Sequence, residues 1–173
     1  MLGLIGIAGT PRKAIVLQTR KGTSVTNEQA LDPPSLRERQ VFMRLLAGHP
    51  NWVLRKDACG FYNCAGHAWA SRRTAIYDDA EWRKILRDDG YRMAQGNDVR
   101  LGDLAIYSVK PDATFLHVGV VCEFRQVTPG EVRIPWVLSK WNDASGEVLH
   151  HFNDPPFDPG QLPYEVSFWT ERP

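Results

Sequence analysis

A change of pattern at Gly96 constrains this chain more than any other feature. Before it, apolar residues recur at helical spacing; after it, they come in short β-branched or aromatic runs. These runs are "DLAIYSV", "HVGVVCEFR", "IPWVLSKW", "EVLHHF" and "YEVSFW", separated by Pro-Asp, Pro-Gly and Ala-Ser-Gly turns. Helices followed by consecutive strands predict an α+β domain, with N-terminal helices packed on a C-terminal antiparallel β-sheet.

The helices announce their ends. Ser35 is an N-cap with Glu38 at the capping-box position. Leu36, Val41, Met43, Leu45 and Leu46 follow to about Ala47, and Gly48 closes the helix. In "GFYNCAGHAWASRRTAIY" the small residues and the spacing of Cys64, Ala68 and Ser71 predict a tightly packed helix that starts near Asn63. "DDAEWRKILRDDGY", 78–91, has acids in its first turn, apolar Trp82, Ile85 and Leu86, and Gly90 as its stop. "AIVLQT", 14–19, reads as a strand within an N-terminal extension, 1–34, that ends at Pro33-Pro34. Residues 35–173 form the main domain. The terminal "DPPFDPGQLP" reads as a proline-stiffened surface loop.

A chain of 173 residues suits one domain with a real core. Its 21 basic and 20 acidic side chains leave a net charge of +1, without the basic excess that a nucleic-acid partner demands. No run reaches the ~18 apolar residues of a membrane span. The opening, "MLGLIGIAGTPRK", is apolar first and basic after, the reverse of a secretory leader. The chain is therefore expected to be cytoplasmic as synthesised, or exported without a cleaved signal. Cys59, Cys64 and Cys122 are too few for a disulfide framework. Their odd number suits a reducing compartment or a protein with one working thiol.

Cys64 is the candidate nucleophile. A thiol needs a base to take its proton, a third group to orient that base, and donors for the oxyanion that forms. A helix N-terminus would both lower the thiol pKa and supply N–H donors. His117 is the candidate base, at the start of a β-run in which Gly119 and Val121 share its face. His150 is the candidate third group, with His151, Asn142, Asn153 and Ser139 as competitors. His151 must point to the opposite face of its strand from His150.

Blander readings stand beside these. A lone cysteine is commonly a core residue, and Cys122, inside "VGVVCEF", reads as one. Cys59 reads as structural, and His67 as a helix-surface or core histidine. Cys59, Cys64, His67, His117 and Cys122 are ligand types that zinc accepts, yet their spacing matches no standard knuckle. No metal and no cofactor are expected. Trp69, Trp136, Trp141 and Trp169 read as core more readily than as a sugar platform.

"YNCAGHA", "RLGDLAIY", "HVGVV" and "GEVLHHF", in that order, resemble the NlpC-like branch of papain-like cysteine peptidases, of which the CHAP amidases are close relatives. The resemblance covers about residues 58–154. Cys64 matches the family nucleophile, His117 the base, Gly102-Asp103-Leu104 the start of the first strand, and His150 the third residue. Asn63 stands where Asp is usual, Ala65 where Ser is usual, and the run "IPWVLSKW" separates His117 from His150. The resemblance implies a papain-like fold and a cysteine-dependent amide hydrolase, a thiol protease or amidase. Peptidoglycan stem peptides are the commonest substrate class, and a secreted effector or toxin with an immunity protein as partner is one setting. Papain-like relatives also include deamidases, transglutaminase-like enzymes and acyltransferases, which here would act on a cytoplasmic protein. A further reading is a non-enzymatic binding or immunity module with a vestigial triad.

Overall fold

A computed structural model of the chain describes residues 11–126, 132–155 and 163–173. The apolar opening and most of the proline-rich terminal stretch lie outside the described residues. The elements run β1 (Arg12–Lys13), β2 (Gln29–Ala30), α1 (Leu36–Gly48), β3 (Val53–Lys56), α2 (Cys64–Trp69), α3 (Asp79–Asp88), β4 (Arg92–Ala94), β5 (Leu104–Val109), β6 (Phe115–Arg125), β7 (Ile134–Lys140), β8 (Glu147–His151) and β9 (Tyr164–Thr170). The class is mixed α+β, with few helices and one large antiparallel sheet.

That sheet has seven strands in the order β3-β8-β7-β6-β5-β9-β4, every pair antiparallel. It is not confined to the C-terminal half. Its two edge strands, β3 and β4, come from before Gly96, and at four and three residues they are too short to show a period in the sequence. "AIVLQT" forms no strand. Asn27 occupies the backbone of Ile15 there, its Oδ1 accepting from Ile15 N at 3.1 Å and its Nδ2 donating to Ile15 O at 2.9 Å. Of 14–19, Gln18 alone makes a bridge, to Ser24. β1 and β2 pair in a separate ribbon.

The capping box at Ser35 and Glu38 is complete. The helix runs one residue beyond the expected stop, through Gly48, with His49 as C-cap. Its buried residue is Phe42, against Trp52 and Val148, while Leu36, Val41 and Met43 are exposed. α2 lies so close to the following segment that a Cβ at Gly66 would sit 1.7 Å from Thr74 O. α3 starts at its N-cap Asp78, and Gly90 follows it at φ +78°, a conformation that favours glycine.

The register sorts the sheet residues onto two faces, because directly paired residues share a face and neighbours along a strand do not. Ile106 pairs with Val118 and Leu104 with Val120. Their face packs on α2, α3 and the segment between them through Ala65, Ile76, Trp82 and Ile85. Full burial of such side chains contributes roughly 1.5–3 kcal/mol each. Tyr107 pairs with His117 and Ala105 with Gly119, and their face carries a second core with Ala94, Val99, Val121 and Val137. α1 covers part of this second face through Val148, the register partner of Ser139. The described part of the N-terminal extension is woven into the first core. Val25 is buried in it, Thr26 N donates to Glu81, and Glu28 exchanges backbone bonds with Ala75. No helix among the described residues is long and apolar enough to cross a membrane.

Candidate functional site

Cys64 is the first residue of α2, as the sequence predicts. Asn63 caps that helix and does more. Its Oδ1 accepts from Gly66 N at 2.9 Å and from Ile76 N at 3.1 Å, while its Nδ2 donates to Ile76 O at 2.8 Å. An aspartate in this place could not make the last bond. Cys64 itself is 1% exposed and belongs to the core that contains Val118 and Ile106. Burial pushes its thiol up to about 11, outweighing the opposing pull of the Val118 and Ala65 backbone N–H groups. Burial in this core favours the thiol over the thiolate.

His117 is also 1% exposed, on the other face of the sheet. Its ring stacks on Trp141 with centroids 4.0 Å apart and lies 5.5 Å from the ring of Tyr107, its register partner. Burial, then the neighbouring His150 and His67, hold its pKa well below the ordinary 6.5. The ring of His150 is 5.1 Å from Trp141 and 5.9 Å from Trp52. His117 and His150 therefore share one aromatic cluster on the α1 side. Cys64 sits on the α2 side.

The structure brings His117 and His150 together around Trp141 and does not bring Cys64 to either. The reason is alternation along β6: Val118 faces Cys64, so its neighbour His117 faces away. The sequence supplied β6 and its period, but not which face α2 would cover.

The run "IPWVLSKW" is the strand next to β6, and β8 with His150 is one strand further out. Ser139 thus occupies the neighbouring strand, opposite Gly119. Its hydroxyl meets His150 Nε2 at 2.6 Å, and His150 Nδ1 lies 2.8 Å from His151 O. The carbonyl can only accept, so Nδ1 carries the proton and Nε2 accepts from Ser139. Such a pair has the chemistry of a serine nucleophile and its base, and both residues are fully buried. Asn142 accepts from Ala144 N in a tight turn, Asn153 N donates to His151 Nδ1, and His151 is only partly buried. Cys122 is exposed, because it is the extra residue of a bulge between Val121 and Glu123. It is not the core residue its apolar neighbours predict. Among the described residues no group of His, Cys, Asp or Glu is arranged to hold a metal ion.

Sequence reasoning missed a buried polar cluster on the α2 side. Glu147 Oε1 accepts from Tyr62 Oη at 2.5 Å and from Arg72 Nε at 2.6 Å, and its Oε2 accepts from Arg72 Nη2 at 3.1 Å. Burial alone would raise the Glu147 carboxyl, but the bonds from Arg72 and Tyr62 win and lower it to about 2. Arg72 Nη2 also lies 3.1 Å from His67 Nε2. Arginine can only donate, so His67 is protonated on Nδ1, a buried atom without a hydrogen-bond partner among the described residues. Lys140 is fully buried, its Nζ donating to Cys59 O at 2.9 Å, to Asp143 O at 3.3 Å and to Ser145 O. Burial lowers its pKa to about 8, against the pull of nearby Cys59, Asp143 and Glu147. Lys140 and Glu147 share a face because they are register partners across β7 and β8, a pairing that alternation within either run does not reveal.

Comparison with protein-family models, curated proteins and solved structures finds no match for this chain.

Proposed function

We propose that this chain is a non-enzymatic binding module, in which Cys64 is a core thiol and His117 and His150 are parts of an aromatic core. The observation that carries this reading is the placement of Cys64 and His117 on opposite faces of the sheet. A nucleophile and its base must come within hydrogen-bond reach, and a strand cannot turn one residue to both of its faces. The decisive experiment is iodoacetamide labelling of the native protein from pH 5 to 10, read by peptide mapping. Cys122 and Cys59, which reach solvent, label first, and Cys64 stays unmodified below about pH 9. Fast labelling of Cys64 near neutral pH overturns the reading.

One observation favours a second reading, a cysteine hydrolase on a papain-like fold. Cys64 opens a helix, and backbone N–H groups of Val118 and Ala65 act on its sulfur. That is the setting of an oxyanion hole. Together with the motif order it supports attack by Cys64 on a peptide amide, with peptidoglycan stem peptides as the first substrates to try. It requires the His117 ring to reach the α2 side. The same labelling decides: this reading needs a thiol that reacts well below its ordinary pKa of about 8.5.

A further inference from the structure

A shallow, open cleft of about 560 Å³ lies on the α2 side, lined by Ile15, Val16, Gln29, Phe61, Arg72 and Arg73. Its volume falls within the range of small-ligand sites. Its walls divide by chemistry. Val16 is 86% exposed and Phe61 45%, so the apolar wall is open to solvent. The cationic wall is Arg72 and Arg73. Arg73 has no carboxylate within ion-pair distance among the described residues; its Nε donates to Ala70 O at 3.3 Å. Arg72 spends Nε and Nη2 on Glu147 and His67, while Nη1 takes part in none of these bonds and the side chain is 42% exposed.

Arg72 is held there against its own backbone preference. Ser71 and Arg72 have φ of +49° and +65°, consecutive non-glycine residues in the left-handed region. Bonds from Nε and Nη2 to Glu147 and His67 fix the guanidinium, so Arg72 is a rigid anchor in the cleft and not a loose surface cation.

We propose that this cleft binds the C-terminal carboxylate of a peptide whose last side chain is apolar. A chain terminus puts a carboxylate and a side chain on the same Cα, which matches a cationic wall directly beside an apolar one. The carboxylate sits between Arg72 Nη1 and Arg73, charge-assisted bonds that a neutral terminus cannot make. The last side chain lies on Phe61 and Val16, and the Gln29 carbonyl oxygen accepts from a peptide N–H; the Gln29 Nε2 is already donated to Arg73 O. This proposal rests on the binding-module reading.

The test is calorimetric titration with N-acetyl-Ala-Ala-Phe as free acid, with its C-terminal amide, and with phenyl phosphate. The acid binds, and the amide binds at least about tenfold more weakly. Arg73→Gln and Val16→Asp each weaken the acid by about tenfold without moving the melting temperature. These two variants carry the test, because Arg72→Gln would also leave Glu147 without its main partner. No binding of the acid, equal binding of acid and amide, or acid binding indifferent to both variants overturns the site. Tighter binding of phenyl phosphate than of the acid replaces the peptide with a phosphate ligand and also overturns it. The peptide is recovered after titration and weighed by mass spectrometry. Cleavage would sink the binding-module reading while leaving the cleft standing, whereas an intact peptide that does not bind sinks the cleft alone.

Discussion

Ser139 donates its hydroxyl hydrogen to His150 Nε2 across 2.6 Å in the fully buried interior of the sheet. The bond joins β7 to β8 beneath the Trp52 and Trp141 rings and satisfies an acceptor that no solvent reaches. Ser139→Ala leaves that nitrogen without a donor, at a cost of about 1–3 kcal/mol. In a domain of this size each kcal/mol lowers Tm by about 2–4 °C. Scanning calorimetry should record the fall, and an unchanged Tm would mean that the bond contributes nothing net.

Asn63 caps α2, and its amide also donates to Ile76 O at 2.8 Å. Asn63→Asp would set a carboxylate against that carbonyl while keeping the helix cap. The expected loss is about 1–3 kcal/mol in urea unfolding, with an unchanged m-value. A variant as stable as the parent would show that the segment 74–77 does not depend on this donor.

Lys140 ties three backbone carbonyls, those of Cys59, Asp143 and Ser145, to one buried ammonium. Lys140→Met keeps most of the volume and removes every donor. A loss of about 3 kcal/mol or more is expected, since orphaned buried acceptors cost about 1–3 kcal/mol each and the Glu147 charge loses a neighbour. Should Lys140→Met match the parent in denaturant, the ammonium would be paying only for its own desolvation.

Three buried histidines set the acid limb of stability. Burial lowers His150 from 6.5 to about 4 and His67 likewise to about 4, and His117 lies well below 6.5. As pH falls through 6.5 the unfolded chain takes up protons that the folded chain refuses. Stability is therefore full above about pH 6.5 and drains away as pH falls toward 4, by about 3 kcal/mol for a shift such as that of His150. Glu147, lowered from 4.5 to about 2, adds a second loss only below pH 4.5. Urea midpoints at pH 7.5, 6 and 5 should decline in step. A flat profile over that range would mean that these rings are solvated in the folded protein.

The sequence by itself determined the local structure wherever a local cause sufficed. The capping box at Ser35, the start of α2 at Asn63, the stop at Gly90 and the period-2 runs after Gly96 are decided by residues within a turn or two of one another. What tertiary structure alone decided is which elements meet. β6 alternates visibly in the sequence, but alternation offers two faces and does not say which one α2 covers. With α2 on the Val118 face, Cys64 packs into the core of that face while the His117 ring stacks on Trp141 on the other. The order of β7 and β8, the exposure of Cys122 at a bulge, and the meeting of Lys140, Glu147, Tyr62 and Arg72 are likewise products of long-range register. Register is fixed by the burial of whole faces, a property of the assembled sheet that no short window of residues contains.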